Sequence, residues 1–445
     1  MISKPQHKTQ PSSAAAAAND TRALNFNHLL MERIVDRANM EQAWRNVKAN
    51  RGAPGADGVT LEHFAEIFAS QWPLVRQQLL EGTYQPGPAR RKSIPKPDGS
   101  ERHLGIPNVV DRLIQQAILQ ILTLTFDPHF SESSYGFRPK RSAHGAIKQI
   151  QTTIRSGYHY CVDMDRSKFF DRVQHDVLMS RVSRKVRDKR VLRLIGRYLR
   201  AGVMVDGIKQ PSTEGTMQGG PLSPLLANIL LDDLDKELKH RGLNFVRYAD
   251  DFLIFVRTEV AANRVFESVE RFLTHRLKLV VNRDKSRVCK TAGVEFLGYC
   301  FHGFGGQIRI SDKNRRKFKE RGREILRRVG GITLEHRLFV LRRYLRGWID
   351  YFVLEQRKSV AGELDKWLRR RVRACIWKTW RLPRTRVSRL KQLGIKHALG
   401  FGCSRKGPWR LAKTSGLQRS MSNQWLADQD LFSLSERWSE LASKR

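Results

Sequence analysis

Acidic residues are the scarce ones in this chain: 43 Asp and Glu stand against 82 Lys and Arg in 445 residues, for a formal net charge of +39. A surplus of that size repels itself in any compact state, and a polyanionic partner relieves it, which points to nucleic acid. Long hydrophobic runs are also missing. No stretch approaches the roughly 20 apolar residues that span a bilayer, so a membrane partner is not expected. No basic opening followed by an apolar segment and a cleavage site reads as a secretory signal. Cysteine is sparse as well: Cys161, Cys289, Cys300, Cys375 and Cys403 are scattered and form no C-x-x-C pair. That excludes zinc knuckles and a disulfide framework, and suits a reducing, cytoplasmic setting. The five cysteines read as small buried hydrophobes.

What is present suffices for more than one core. The length exceeds the size at which single hydrophobic cores stop growing, and 9 Trp with 21 Phe supply large anchors. Four segments are expected: a disordered tail over 1–20, a mixed region over 21–310, a helical region over 311–380, and a basic appendix over 381–445 whose fold the sequence does not assign. Leu29, Ile34, Ala38, Trp44 and Val47 follow helical spacing before the Gly- and Pro-containing loop Arg51–Gly58. Arg90 to Pro107 reads as two strands joined across a Pro-Asp-Gly-Ser turn. Lys96 and Arg102 then lie on opposite arms, placed either to grip one anion or to face solvent. Leu113, Ile114, Ala117, Ile118, Ile121 and Leu122 make an amphipathic helix. Ser134 to Arg141 interleaves rings with cations, as a nucleic-acid groove does, or as a basic loop anchored by two aromatics does. Beyond Ser311, apolar residues at helical spacing form three sets, around Phe318, Leu341 and Leu368, with basic outer faces.

Three stretches carry chemistry. Phe245 to Val256 places Asp250 and Asp251 at a tight turn between apolar runs, the pattern of a buried hairpin. Paired acids there are unfavourable unless a cation neutralises them, although Asp is also an ordinary turn residue. Tyr160 to Asp171 holds a short strand ending at Asp165, followed by Phe169, Phe170 and Asp171; Asp163 and Asp171 read equally as structural. Gly215 to Pro224 is a Gly/Pro-rich loop feeding a helix, with Gln218 offering both donor and acceptor and Gly219–Gly220 permitting close backbone approach. Asp165, Asp250 and Asp251 together form the minimum site for two Mg²⁺ ions, which take hard oxygen ligands and stabilise attacking and leaving oxygens in nucleotidyl transfer. Paired acids also serve glycoside hydrolysis, but nothing in a chain of this charge favours a neutral sugar.

In order along the chain, these strings resemble the reverse-transcriptase motifs of bacterial group II intron-encoded proteins. Tyr248-Ala-Asp-Asp251 resembles the Tyr-x-Asp-Asp box, Asp165 to Asp171 the first catalytic block, and Gln218 to Asn228 the template and nucleotide block. Arg51 to Thr60 resembles the amino-terminal extension, Ile94 to Arg102 the fingers, and Arg346 to Phe352 the maturase region. The resemblance covers roughly residues 30 to 440. It implies an α+β, right-hand polymerase of fingers, palm and thumb with a helical basic maturase region.

The implied activity is RNA-directed DNA synthesis that copies intron RNA into cDNA, joined to maturase binding that promotes splicing and retrohoming. The implied partners are group II intron RNA, a DNA target and primer, and deoxynucleoside triphosphates. Asp165, Asp250 and Asp251 hold the metals; Lys96 and Arg102 grip the triphosphate; Phe170 sits under the sugar and excludes a 2′-hydroxyl. Gln218 and Gly219 line the nascent base pair, and Lys285 matches the general acid for pyrophosphate. Met217 departs from the Pro usual at that position. No Cys- or His-rich nuclease module follows the maturase region, so another primer source is expected. A bacterial cytoplasmic location is implied, at the nucleoid when DNA is the substrate. Two other readings share the same residues: a domesticated reverse transcriptase in phage defence, and a splicing-only RNA-binding maturase.

Overall fold

Among the described residues up to position 290, eight strands form, several from runs of β-branched and aromatic residues. They are β1 (Ala89–Pro95), β2 (Glu101–Ile106), β3 (Tyr160–Met164), β4 (Val203–Val205), β5 (Ile208–Gln210), β6 (Asn244–Tyr248), β7 (Asp251–Val256) and β8 (Arg287–Lys290). The computed structural model describes residues 29–443 apart from 96–98, 100, 166–168, 206–207, 211–213 and 328–330. Lys96 and the tail expected over 1–20 lie outside the described residues. The chain divides into two compact units, one of residues up to Gln149 with Tyr158–Cys289, the other of Ile150–Gly157 with Lys290 onward.

The first unit holds two four-stranded sheets, ordered β2-β1-β4-β5 and β6-β7-β3-β8. In the second sheet β7 is central, and Phe252 to Val256 are buried without alternation, as a strand covered on both faces requires. Helices Val109–Phe126 and Ser223–His240 supply much of the core through Leu113, Ile114, Ile118, Leu226, Ile229 and Leu230, all at most 3% exposed. Each such side chain contributes about 1.5–3 kcal/mol when withdrawn from water. The segment Val109–His129 is long and apolar enough by composition to cross a membrane, which the hydrophobic-run reading passed over; 61% of it is buried inside the protein, as a core helix is.

The second unit has a small sheet of β9 (Glu295–Phe296), β10 (Tyr299–His302) and β11 (Gln307–Ile310) in the order β11-β10-β9. The three expected helices are Asp312–Ile325, Leu334–Tyr351 and Ser359–Thr379. Phe318 sits 4.4 Å from Trp348 and 6.2 Å from Trp367, ring to ring, which locks the three together. The unassigned appendix is a set of short helices that bury Leu390, Leu417, Met421 and Leu434 and make polar ties to Ser359–Thr379. Asp365 accepts from the Leu434 and Ser435 amides, Arg373 donates to the Met421 carbonyl, and Arg370 lies 3.8 Å over the Trp409 ring. Only two cysteines, Cys161 and Cys375, are buried as expected; Cys403 is exposed.

Candidate active site

The β6–β7 hairpin closes in two residues. Tyr248 pairs with Asp251, leaving Ala249 and Asp250 as the turn. Two-residue hairpins need a mirror-type turn with positive φ at the first central position, and Ala249 has φ 57°. A side chain in that region costs about 1 kcal/mol, so the surroundings must enforce it. One enforcing surface is Gly136, where an added Cβ would sit 2.2 Å from the Ala249 nitrogen and 2.9 Å from the Tyr248 carbonyl carbon. Asp251 is therefore the first residue of a strand, and Asp250 alone of the two acids lies in the turn.

Antiparallel pairing of β3 with β7 runs from Tyr160↔Val256 to Met164↔Phe252. One step further in this register sets Asp165 beside Asp251, on the same side of the sheet. The end of β3 is tied down by the Asn282–Ser286 segment: the Asp165 amide donates to Ser286 Oγ at 3.0 Å, and the Asn282 amide donates to the Asp165 carbonyl at 2.9 Å. The same ties bring the segment that carries Lys285 to Asp165. Asp163 is a different kind of acid. Its carboxylate lies 3.6 Å from Arg287, and burial holds its pKa above the ordinary value despite that guanidinium.

Among the described residues no three His, Cys, Asp or Glu side chains converge as a ready-made metal cluster. The donor set fits Mg²⁺ all the same. It consists of carboxylates only, with Asp165 and Asp251 exposed at adjacent strand ends, which suits an ion that takes one or two carboxylates and fills its sphere with waters and phosphate oxygens.

A second group gathers around Phe170. Phe169 is buried and meets Phe170 edge-on at 5.1 Å, leaving Phe170 half-buried. The Phe170 carbonyl accepts from the Thr216 amide at 2.6 Å, and His175 Nε2 lies 2.7 Å from the Gly215 carbonyl. Phe170 and Gln218 thereby line one cavity of about 190 Å³, with Thr216, Gly105, His103 and Arg91. The Gln218 carbonyl accepts from the Gly105 amide at 2.8 Å. The glycines of this loop also pack closely against the protein itself. A Cβ on Gly219, at φ 120°, would stand 2.5 Å from the Gly105 carbonyl oxygen, and one on Gly220 would stand 2.6 Å from Gln115 Oε1. Met217 replaces the usual Pro, and its side chain fills the space that Gly105 leaves. Arg102 is exposed on β2, opposite Ile94 in the β1–β2 hairpin and three residues before Gly105.

Residues 134–141 are largely a brace and not an open basic groove. Tyr135 is buried, its amide donates to the Arg247 carbonyl, and Arg138 spends its guanidinium on Asp127 and the Ser131 and Ser134 carbonyls. Sequence reasoning also missed Asn228, Asp235 and Arg247, which are fully buried. Their signal was present: polar groups on an apolar helix face and inside an apolar strand demand partners.

A family model described as reverse transcriptase (RNA-dependent DNA polymerase) matches residues 94–301, which contain every described site residue above. One described as the group II intron maturase-specific domain matches residues 315–394. Protein YkfC of Escherichia coli (strain K12) is 33% identical over 301 residues, covering 58% of this chain and 79% of that protein. The chain belongs to the group II intron-encoded reverse transcriptase and maturase family. By that membership it is an RNA-directed DNA polymerase with a splicing maturase domain, in a family that works with divalent metal. Group II intron-encoded protein LtrA of Lactococcus lactis subsp. cremoris is 34% identical over 254 residues, which are 55% of this chain but 40% of that protein. A solved structure titled as a partial Cas6-RT-Cas1–Cas2 complex shares 27% identity at a TM-score of 0.36, over 55% of this chain and 42% of that one.

Proposed function

We propose that this chain copies its own group II intron RNA into cDNA at Asp165, Asp250 and Asp251 with two Mg²⁺ ions, and holds the same RNA for splicing and retrohoming. The observation that carries the reading is the β3–β7 register, which brings Asp165 to Asp251 beside a turn that presents Asp250. When bound, Mg²⁺ supplies Lewis-acid stabilisation of the attacking 3′-hydroxyl and the leaving pyrophosphate.

The remaining work belongs to the chain. The three carboxylates, two at adjacent strand ends and one in the turn between β6 and β7, fix where the phosphates of an incoming deoxynucleoside triphosphate are reached. Lys96 and Arg102 add positive charge to the triphosphate. The Phe170 ring, met edge-on by Phe169 on a residue whose carbonyl is fixed by the Thr216 amide, leaves no room for a 2′-hydroxyl. Gln218 and Gly219, held against Gly105, steady the nascent base pair. Lys285, on the segment tied to Asp165, protonates the leaving pyrophosphate. A primer other than a cleaved target strand, such as a nascent strand at a replication fork, starts synthesis, and the cytoplasm, at the nucleoid during DNA synthesis, is the setting. Basic helices of the maturase region contact intron RNA phosphates.

The test is extension of a DNA primer on intron RNA with each nucleotide class. Deoxynucleotide incorporation that needs Mg²⁺ supports the reading. Failure to extend on RNA under any divalent condition overturns it.

A further inference from the structure

We infer that Arg247 is a positioning residue for the Ala249–Asp250 turn, acting through a buried network with Asp235 and Asn228; the inference rests on the reading of Asp250 as a metal-holding carboxylate. Arg247, Asp235 and Asn228 are each 0% exposed. The guanidinium meets Asp235 on two bonds, Nε to Oδ1 at 2.8 Å and Nη2 to Oδ2 at 2.5 Å. Its remaining nitrogen, Nη1, donates to Asn228 Oδ1 at 2.7 Å and to the Ala249 carbonyl at 2.9 Å.

That carbonyl belongs to the peptide unit joining Ala249 to Asp250. Holding it fixes the plane from which Asp250 departs, and it holds Ala249 in the left-handed region that a side chain otherwise avoids. Asn228 reaches the turn by a second route. Its Nδ2 donates to the Gly136 carbonyl at 2.9 Å, and Gly136 is the residue pressed against the Ala249 nitrogen. The two arms of the network therefore grip the turn through its carbonyl and through the backbone packed on its amide.

Stability alone does not call for this arrangement. A buried ion pair is often matched or bettered by apolar side chains of similar volume. Apolar replacements, however, cannot donate to the Ala249 carbonyl. Removing Arg247 alone would strand Asp235 and risk unfolding, so the decisive variant removes the pair as a unit, Arg247→Met with Asp235→Leu.

The experiment compares wild type and this double variant by circular dichroism, RNA affinity, steady-state single-nucleotide addition, and equilibrium Mn²⁺ binding followed by electron paramagnetic resonance. Extension by wild type must be seen first; its absence counts against the polymerase reading and not against the network. The expected result is a folded variant with unchanged RNA affinity, kcat lower by about tenfold or more, deoxynucleotide KM nearly unchanged, and Mn²⁺ bound about fivefold or more weakly. A folded double variant with wild-type kcat and Mn²⁺ affinity overturns the inference. If the double variant does not fold, Arg247→Lys decides by the same readouts. Its ammonium keeps the charge but lacks the planar fork that serves Asp235, Asn228 and Ala249 together, so loss in kcat and Mn²⁺ affinity supports the inference and unchanged values overturn it.

Discussion

Replacing Gly136 by Ala puts one methyl group against the backbone of the Ala249–Asp250 turn. The new Cβ would lie 2.2 Å from the Ala249 nitrogen, 2.9 Å from the Tyr248 carbonyl carbon and 3.0 Å from the Ala249 Cα. All three are backbone atoms, so no side chain can swing aside; the turn must retreat. Recovering ordinary contact needs a shift of about 1 Å, and misplacement of that size at a reacting centre can cost about 100-fold in rate. The overpacking itself costs about 1–3 kcal/mol of stability. The assay is pre-steady-state addition of one deoxynucleotide to a primer on RNA, with thermal unfolding measured on the same preparation. Gly136→Ala should fold and lose rate far beyond its loss of stability. Gly347→Ala is the control: nothing lies within 4 Å of its Cβ, inside a helix that favours Ala over Gly by about 1 kcal/mol. A folded Gly136→Ala that adds nucleotides at the wild-type rate would refute the claim that this contact sets the turn.

Phe170→Ala should raise ribonucleotide incorporation relative to deoxynucleotide, because the ring beside the 190 Å³ cavity is removed; unchanged discrimination in competition assays would remove Phe170 from the sugar gate. Burial pushes the Asp111 carboxyl up from its ordinary 3.8 to about 6, even though Tyr84, Tyr198 and the Gly87 amide donate to it. Because the folded state holds that proton more tightly than the unfolded one, the contribution is full below about pH 4 and is lost as pH rises to about 6, by about 3 kcal/mol. Asp111→Asn should lack that slope, so the stability of wild type relative to the variant should fall across this range, and a parallel pair of curves would count against it. RNA affinity should fall steeply with salt as phosphate contacts release counterions, with cognate intron RNA retained at salt levels that dissociate unrelated RNA; equal affinities would argue against a maturase-specific contact.

The strands that carry the candidate acids were legible because their signals are local. An apolar run around Asp250 and Asp251 and a short strand ending at Asp165 announce themselves within a dozen residues, and the β3–β7 pairing followed. The three long helices of the second unit were legible for the same reason, since periodicity sustained over several turns survives tertiary context. What escaped depends on distant partners. Arg247 and Asn228 are 19 residues apart, and the backbone that receives Asn228 lies more than 90 residues earlier at Gly136. Arg138 looked like a cation for phosphate because nothing in the sequence says that Asp127 and two carbonyls already occupy it. The packing of Gly219 on the Gly105 carbonyl was hidden because that carbonyl belongs to a strand more than a hundred residues earlier. The appendix after residue 381 was illegible because its helices are too short for one or two buried apolar residues each to show a period, and its side chain-to-backbone ties leave no local signal.

The most direct measurement is primer extension on intron RNA by Asp250→Ala, set beside its RNA affinity. The account predicts that synthesis is abolished while the variant binds RNA as tightly as wild type. Continued DNA synthesis by a folded Asp250→Ala would contradict it.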